Sequence, residues 1–402
     1  MNKEGWQTKT LGQVCQIKPP KSEARDRLAT DALVSFLPME DMGIDKKFVR
    51  ATQTKPLSAV AGSYTYFADC DVLLAKITPC FENGKLGIAE HLTNGIGFGS
   101  SEYIVFRPDE TLSREWLYYY LSREVFRVEG AARMSGAVGH KRVAKEFIES
   151  YPIPVPPLPE QQRIVGILDE AFGGIATAKA NAKKNLQNAR ALFENHLQSV
   201  FTQRGPEWVD RTLDQVCIVE RGSSPRPIKE YFTTKPDGVN WIKIGDTEEG
   251  GKYVYSTAQK VTPEGAKQSR FVKEGDFILT NSMSFGRPYI MKTSGYIHDG
   301  WFVLRLNIAI DTDYFYYLLS SAIVQSQFAS LASGSVVKNI SGDLVKQAVL
   351  PIPPLAHQHA IVKKLLGLSE ETQRLASLYE RKLAALDELK KSLLHQAFTG
   401  SL

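Results

Sequence analysis

Cysteine is scarce: Cys15, Cys70, Cys80 and Cys217 are the only four in 402 residues. None forms a CxxC pair and no histidine cluster accompanies them, which excludes a disulfide framework and a zinc knuckle and predicts reduced core thiols. Long apolar runs are missing too, none approaching the roughly 18–20 residues of a membrane span. The opening MNKEGWQTKT has no apolar signal core, so a cytoplasmic location is expected. Catalytic signatures are equally sparse. There is no Asn-Pro-Pro-aromatic tetrapeptide of the kind an adenine methyltransferase places at a flipped base, and no GxxxxGK[ST] phosphate loop. GIGFG, from Gly95, leads into a predicted strand rather than a helix, and LDEAF, at Leu168, falls inside a helix. Asp246, Glu248 and Lys252 sit in an acidic turn and read as solvated. His357 and His359, two apart at a helix start, point to different faces and make a poor metal site. Charge of one sign is in small excess, +5, which permits a polyanionic partner without requiring one.

What the chain does have is itself, twice. WQTKTLGQVC from Trp6 returns as WVDRTLDQVC from Trp208, an offset of 202. VSFLPMED from Val34 and DVLLAK from Asp71 return at offset 205 as VNWIKIGD and DFILTN. EYIVFR, ending at Arg107, parallels WFVLR, ending at Arg305, and each is followed by a Tyr-rich helix, REWLYYYLS or DYFYYLLS. SGAVGHKR from Ser135 matches SGSVVKNI at offset 198, and the hinges VPPLPEQQRIV and IPPLAHQHAIV match at 197. Blocks in one order with a drifting offset imply duplication, with insertions confined to loops.

Each repeat begins with about 150 residues of short β-type runs, Gly/Pro/Asn turns and one amphipathic helix, an α+β pattern. A helix of about 43 residues follows. In the second, Ile361, Leu365, Leu368, Thr372, Leu375, Tyr379, Lys382, Leu386, Leu389 and Leu393 recur at steps of four and three, a heptad seam. The first offers a smaller seam: Ile164, Leu168, Ala171, Ile175, Ala178, Ala182, Asn185, Ala189, Leu192 and His196. Small side chains opposite large ones predict that the two helices pack together, antiparallel, with an approximate two-fold axis. Two prolines before each helix make the joint stiff and extended.

Two globular modules alternating with two long helices, each entered through P(I/V)PPL…Q…IV and closed by NHLQSVFTQRG or SLLHQAFTGSL, resemble the DNA specificity subunit of type I restriction–modification systems. The resemblance covers essentially the whole chain. It departs locally where the second hinge reads LAHQHAIV instead of a LPEQQ form. It implies two tandem target-recognition domains, residues 1–154 and 204–351, each reading half of a bipartite asymmetric DNA target. It further implies two spacer helices, residues 155–203 and 352–402, forming an antiparallel coiled coil with pseudo-two-fold symmetry that fixes the half-site separation and docks methyltransferase subunits. The partners implied are double-stranded DNA, two methyltransferase (M) subunits and an optional pair of motor–nuclease (R) subunits, with no membrane. The chain itself is expected to be non-catalytic and to hold no cofactor, S-adenosylmethionine, ATP and magnesium belonging to the partner subunits.

Loop composition supplies the candidate DNA contacts. In the first domain AKITPCFENGK places Lys76, Thr78, Asn83 and Lys85 around a turn that bears Phe81 and looks exposed. GFGSSEY offers Ser100, Ser101 and Glu102, and GHKRVAK clusters His140, Lys141, Arg142 and Lys145. In the second, ERGSSPRPIK offers Arg221, Ser224 and Arg226, TNSMSFGRPY offers Asn281, Ser282, Ser284 and Arg287, IHDGW offers His298 and Trp301, and SVVKN offers Lys338 and Asn339. Arg and Lys suit guanine edges, Asn suits adenine, carboxylates accept from cytosine, and Ser, Thr and Lys also grip phosphates. Framework words repeat while these loops differ, which predicts two different half-sites. The rival reading is a protein–protein scaffold, which a flat salt dependence of DNA binding would favour.

Overall fold

The repeated word T-L-x-Q-V-C folds the same way twice. Thr10 and Thr212 cap the four-residue helices Leu11–Val14 and Leu213–Val216, and the Gln13 and Gln215 side chains accept from the threonine N–H at 2.8 and 3.0 Å. The Leu and Val of each word enter the core and the Cys opens a strand. Burial pushes the Cys15 and Cys217 thiols up to about 12. The core-thiol expectation holds for these two, whereas Cys80 is half-buried and Cys70 exposed.

The computed structural model describes residues 5–137, 139–248, 250–281, 286–332 and 341–402. It divides into two compact units, Met1–Lys183 with Arg381–Leu402, and Lys184–Glu380. In the first unit a five-stranded sheet runs in the order Cys15–Ile17, Tyr103–Pro108, Val72–Ala75, Leu86–Ala89, Phe48–Val49. In the second the order is Cys217–Arg221, Trp301–Leu306, Phe277–Thr280, Pro288–Met291, Tyr253–Val254. The registers agree with the repeat offsets: Phe106 faces Ile17 as Leu304 faces Val219, and Tyr103 faces Ala75 as Trp301 faces Thr280. Each unit has a second large sheet, with four strands in the first and five in the second, and a two-stranded one besides. Gly97 and Gly99 in the first unit's smaller sheet have a packing reason. A Cβ at Gly97 would lie 2.3 Å from the Phe67 ring, and one at Gly99 2.4 Å from the Leu37 carbonyl oxygen.

A strand leads into each proline hinge. Pro152–Val155 pairs with Gln7–Thr10 and Val349–Ile352 with Val209–Thr212. After each comes a continuous helix, Leu158–Thr202 or Leu355–Thr399. A buried glutamine locks each joint. Gln161 donates to the Pro156 and Thr111 carbonyls at 2.7 and 2.9 Å and accepts from the Ser113 N–H at 2.8 Å. Gln358 donates to Pro353 and accepts from the Asp311 N–H, both at 2.8 Å. Ser113 and Asp311 cap the Tyr-rich helices, so hinge, cap and long helix form one hydrogen-bonded corner in each repeat.

Within each unit the long helices run antiparallel. In the first, Arg163 reaches the Leu402 carbonyl at 2.9 Å and Lys179 pairs with Asp387. In the second, Arg190 pairs with Glu380 at 2.9 Å, and farther along Leu197 and Phe201 share a core with Val362 and Leu365. The heptad seam needs correction at its middle. Asn185, Leu192, Lys382 and Leu389 are exposed, and Leu186, Phe193, Leu383 and Lys390 turn inward in their place. A straight α-helix drifts by about 20° per heptad against a 3.5-residue repeat. Over four heptads the buried face therefore slips by one residue, here in both helices at equivalent points, next to the division between the units.

The repeated Asp of DVLLAK and DFILTN and the repeated Arg ending the next strand meet in space. Arg107 makes two charge-assisted bonds to the buried Asp71, both 2.8 Å, and a third to Glu23 at 2.7 Å. Arg305 meets Asp276 at 3.3 Å and Glu220 at 2.5 Å. Asp71 and then Glu23 hold Arg107 protonated. Replacing Asp71 with Ala is expected to cost about 2–3 kcal/mol in denaturant unfolding. That is below the ~3–5 kcal/mol of a fully buried pair, because Arg107 keeps Glu23 and some water.

Candidate nucleic-acid interface

Three loops that are remote in the first repeat's sequence converge. The Lys76 N–H donates to the Glu102 carbonyl at 2.9 Å, the Val143 N–H to the Lys76 carbonyl at 3.0 Å, and the Thr78 N–H to the Lys141 carbonyl at 3.0 Å. On this frame Arg142 grips Glu102 with two bonds, 2.8 and 2.9 Å, and the Lys76 ammonium reaches the Ser101 carbonyl at 3.0 Å. Arg142, with help from Lys76, holds the Glu102 carboxyl below its usual range. The Ser100 hydroxyl accepts from the Glu102 N–H at 3.2 Å. Lys76, Ser101 and Arg142 line one groove of about 410 Å³.

The side chains of the other candidates take no part in this network. Asn83, His140 and Lys141 are exposed. The Thr78 hydroxyl is taken by Glu82 at 2.9 Å, and the half-buried Lys85 places its ammonium on the Met39 carbonyl at 2.6 Å. Phe81 corrects the exposed-turn expectation. It is fully buried, its ring 5.7 Å from that of Phe126, because the turn folds back over the core. The same groove adds Lys18, Lys21 and Tyr64, which the loop compositions alone do not single out. A signal for them exists: IKPPK follows the first T-L-x-Q-V-C word where ERGSSPRPIK follows the second.

In the second unit the candidates gather around Asp299. Ser224 donates to its carboxylate at 2.9 Å, and Arg221 and Asn281 donate to its carbonyl at 3.3 and 3.2 Å. Asn281 is buried, and its side-chain oxygen has no hydrogen-bond partner among the described residues. Arg226 is exposed and Arg287 half-buried. Trp301 is corrected as Phe81 is: it is fully buried in the sheet core, edge-on to Tyr289 at 5.8 Å, and contributes packing instead of a contact surface. Ser282, Ser284, Lys338 and Asn339 lie outside the described residues.

His298 sits beside this cluster with its ring half-buried. Its Nδ1 is 2.8 Å from the Gly300 N–H and its Nε2 is 3.3 Å from the Ile244 N–H. Burial lowers its pKa, against the opposing pull of Asp299. A histidine with a depressed folded pKa binds fewer protons folded than unfolded, so its contribution is complete above the unfolded value near ~6.5 and lost as pH falls below it. The thermal midpoint of the second unit is expected to drop as pH falls from about 6.5, and a His298→Gln chain to show a shallower drop over the same window. Parallel profiles for the two proteins in scanning calorimetry would dismiss His298 as the cause.

A family model described as the type I restriction modification DNA specificity domain matches residues 3–188 and again 206–380. The EcoEI type I restriction enzyme specificity subunit of Escherichia coli is 39% identical over 205 residues, 51% of this chain and 34% of that protein. The EcoAI specificity subunit, also of Escherichia coli, is 37% identical over 163 residues, 40% of this chain and 27% of that protein. The match thus spans about a third of the length of these relatives. Two solved structures share the fold across the chain. One is a chain from a study of complex assembly and conformational transition of the type I R-M system, with TM-score 0.80, 18% identity, and coverage of 100% of this chain and 99% of that one. The other is the HsdS subunit from Thermoanaerobacter tengcongensis, with TM-score 0.70, 19% identity, and coverage of 100% and 98%.

Proposed function

Since the chain belongs to the type I restriction modification DNA specificity family, we propose that it is the sequence-reading subunit of a DNA methylation and restriction complex. Each repeat reads one half of a bipartite asymmetric target, and the long helices set the gap between halves and dock two methyltransferase subunits. The duplex enters as ligand, and S-adenosylmethionine, ATP and magnesium act on partner subunits, where the optional motor–nuclease pair also belongs. The supporting observation is a pair of sheets with identical strand order whose loops carry different chemistry at equivalent places. Where the first repeat presents Lys76 and Ser101, the second presents Asn281 and Asp299; Glu102 and Arg142 join the first pair, and Arg221 and Ser224 the second. Arg142 and Glu102, released from each other, suit a guanine edge and a cytosine amine.

The test is separability. In the assembled methyltransferase, Arg142→Ala should relax one position in one half-site and Arg221→Ala should affect the other half-site alone. A lost base contact costs about 1–3 kcal/mol at one position, whereas a lost phosphate contact weakens all sequences alike. Sequencing the modified adenines of cells carrying each variant decides it. Either substitution altering both half-sites would refute the assignment of one repeat to one half-site.

A further inference from the structure

The two repeats share a frame but differ in charge where the groove lies. In the first unit the groove lining carries five cations, Lys18, Lys21, Lys76, Arg142 and Lys145, around Tyr64, and no carboxylate among the described lining residues. Lys18 is held at φ 58, a conformation uncommon for a residue other than glycine, with its N–H on the Val105 carbonyl at 2.8 Å. Lys21 places its ammonium on the Gly62 carbonyl at 2.7 Å. Burial, then the neighbouring charges of Arg25 and Lys18, hold that ammonium below its usual pKa, as expected of crowded positive charge. Lys145 pairs with Glu149 at 2.9 Å, an exposed bond of the weak kind that a phosphate can replace.

Strand register identifies the counterparts in the second unit. Lys18 lies against Val105 as Glu220 lies against Val303, so an anion replaces a cation. That anion is committed to Arg305 at 2.5 Å and Arg270 at 3.3 Å. Lys76 follows Ala75 as Asn281 follows Thr280, and Ser101 stands two before Tyr103 as Asp299 stands two before Trp301. Lys145 opens the helix Lys145–Ser150 where Gly342 opens Gly342–Lys346. Arg142 has its counterpart outside the described residues.

We propose that Lys18, Lys21 and Lys145 of this groove form a clamp for consecutive backbone phosphates, one that the described residues of the second repeat do not reproduce. The first repeat then supplies the larger share of salt-dependent affinity. The inference rests on the DNA-reading function proposed above. It divides the labour of the two halves, which duplication alone does not.

The experiment uses the full chain and a fluorescein-labelled duplex of about 30 base pairs, with anisotropy read between about 50 and 200 mM KCl. Each phosphate contact contributes roughly 0.9 to the slope of log affinity against log salt. The triple variant Lys18→Gln, Lys21→Gln, Lys145→Gln should therefore lower the slope by about 3, so that wild type loses about 40-fold more affinity than the variant across that range. The matching Lys→Arg triple should keep the wild-type slope, which separates charge from folding. Neutralising Arg221, Arg226 and Lys229 in the second repeat should lower the slope by less. A steep wild-type slope unchanged in the groove variant, or lowered as much by the second-repeat variant, overturns the clamp while leaving the DNA-reading function standing. A wild type with no salt-dependent duplex binding removes both.

Discussion

Removing residues 381–402 is expected to unfold the first unit, although every strand of that unit lies upstream of residue 156. The end of the chain is part of its core. Leu394, Ala397 and Phe398 are buried there beside Ile164, Val165 and Leu168. The Phe398 ring stands edge-on to Trp116 at 4.5 Å and to Tyr120 at 5.0 Å. Large apolar side chains contribute about 1.5–3 kcal/mol each on burial, and the cavity they leave adds more. Losing Leu393, Leu394, Ala397 and Phe398 together costs roughly 6–10 kcal/mol, against about 5–15 kcal/mol for a whole domain. The second unit keeps its own pairing of residues 184–202 with 355–380 and should retain its transition. Calorimetry of the truncated chain should show one transition lost, and Phe398→Ala in the full chain should cost about 3–5 kcal/mol. Two undiminished transitions after truncation would show that the C-terminal helix only decorates the first unit.

This closure explains what the sequence could and could not disclose. The duplication was legible because framework words recur in one order, and the registers of the two main sheets repeat the same offsets residue for residue. Local signals also carried through. The proline hinges and the two long helices need only neighbours within a few residues. Contacts between remote residues were hidden. Nothing in DVLLAK announces that its Asp will meet an Arg thirty-six residues on, and nothing in the closing helix announces Trp116 as its partner. Phe81 and Trp301 look like contact residues because polar neighbours surround them in sequence. The turns that carry them fold over a core that only the tertiary structure defines. The seam departs from a strict heptad at its midpoint because a straight helix accumulates drift. The candidate site followed the same division. Residues whose backbones bond across loops, such as Lys76, Glu102 and Arg142, came together, while Lys18 and Lys21 joined them from a stretch whose composition alone is ordinary.

If the helices act as the ruler of the proposed function, lengthening both should change the target and leave the half-sites unaltered. Lys184 and Arg381 occupy equivalent places at offset 197, each within a residue or two of the division between the units. Four residues inserted after each would lengthen each helix by about 6 Å and turn it about 40° beyond a full rotation. Two base pairs advance B-DNA by about 7 Å and rotate it by about 70°. The rise agrees, and the rotation differs by about 30°, within what modest twisting of the intervening DNA absorbs. Seven residues serve less well. They preserve the heptad and add about 10.5 Å, but fall about 20° short of two turns, where three base pairs need a rotation of about 105°. The four-residue variant should therefore methylate the same two half-sites across a gap wider by about two base pairs, and the wild-type spacing should be disfavoured. The insertion adds a stutter beside the slip already present at Leu186 and Leu383, so some loss of stability is expected. A Lys184 insertion without its Arg381 counterpart mismatches the antiparallel pair and should lower activity at every spacing. Sequencing the sites modified by each variant reads the gap directly, and retained activity at the original gap would show that the helices do not set the spacing.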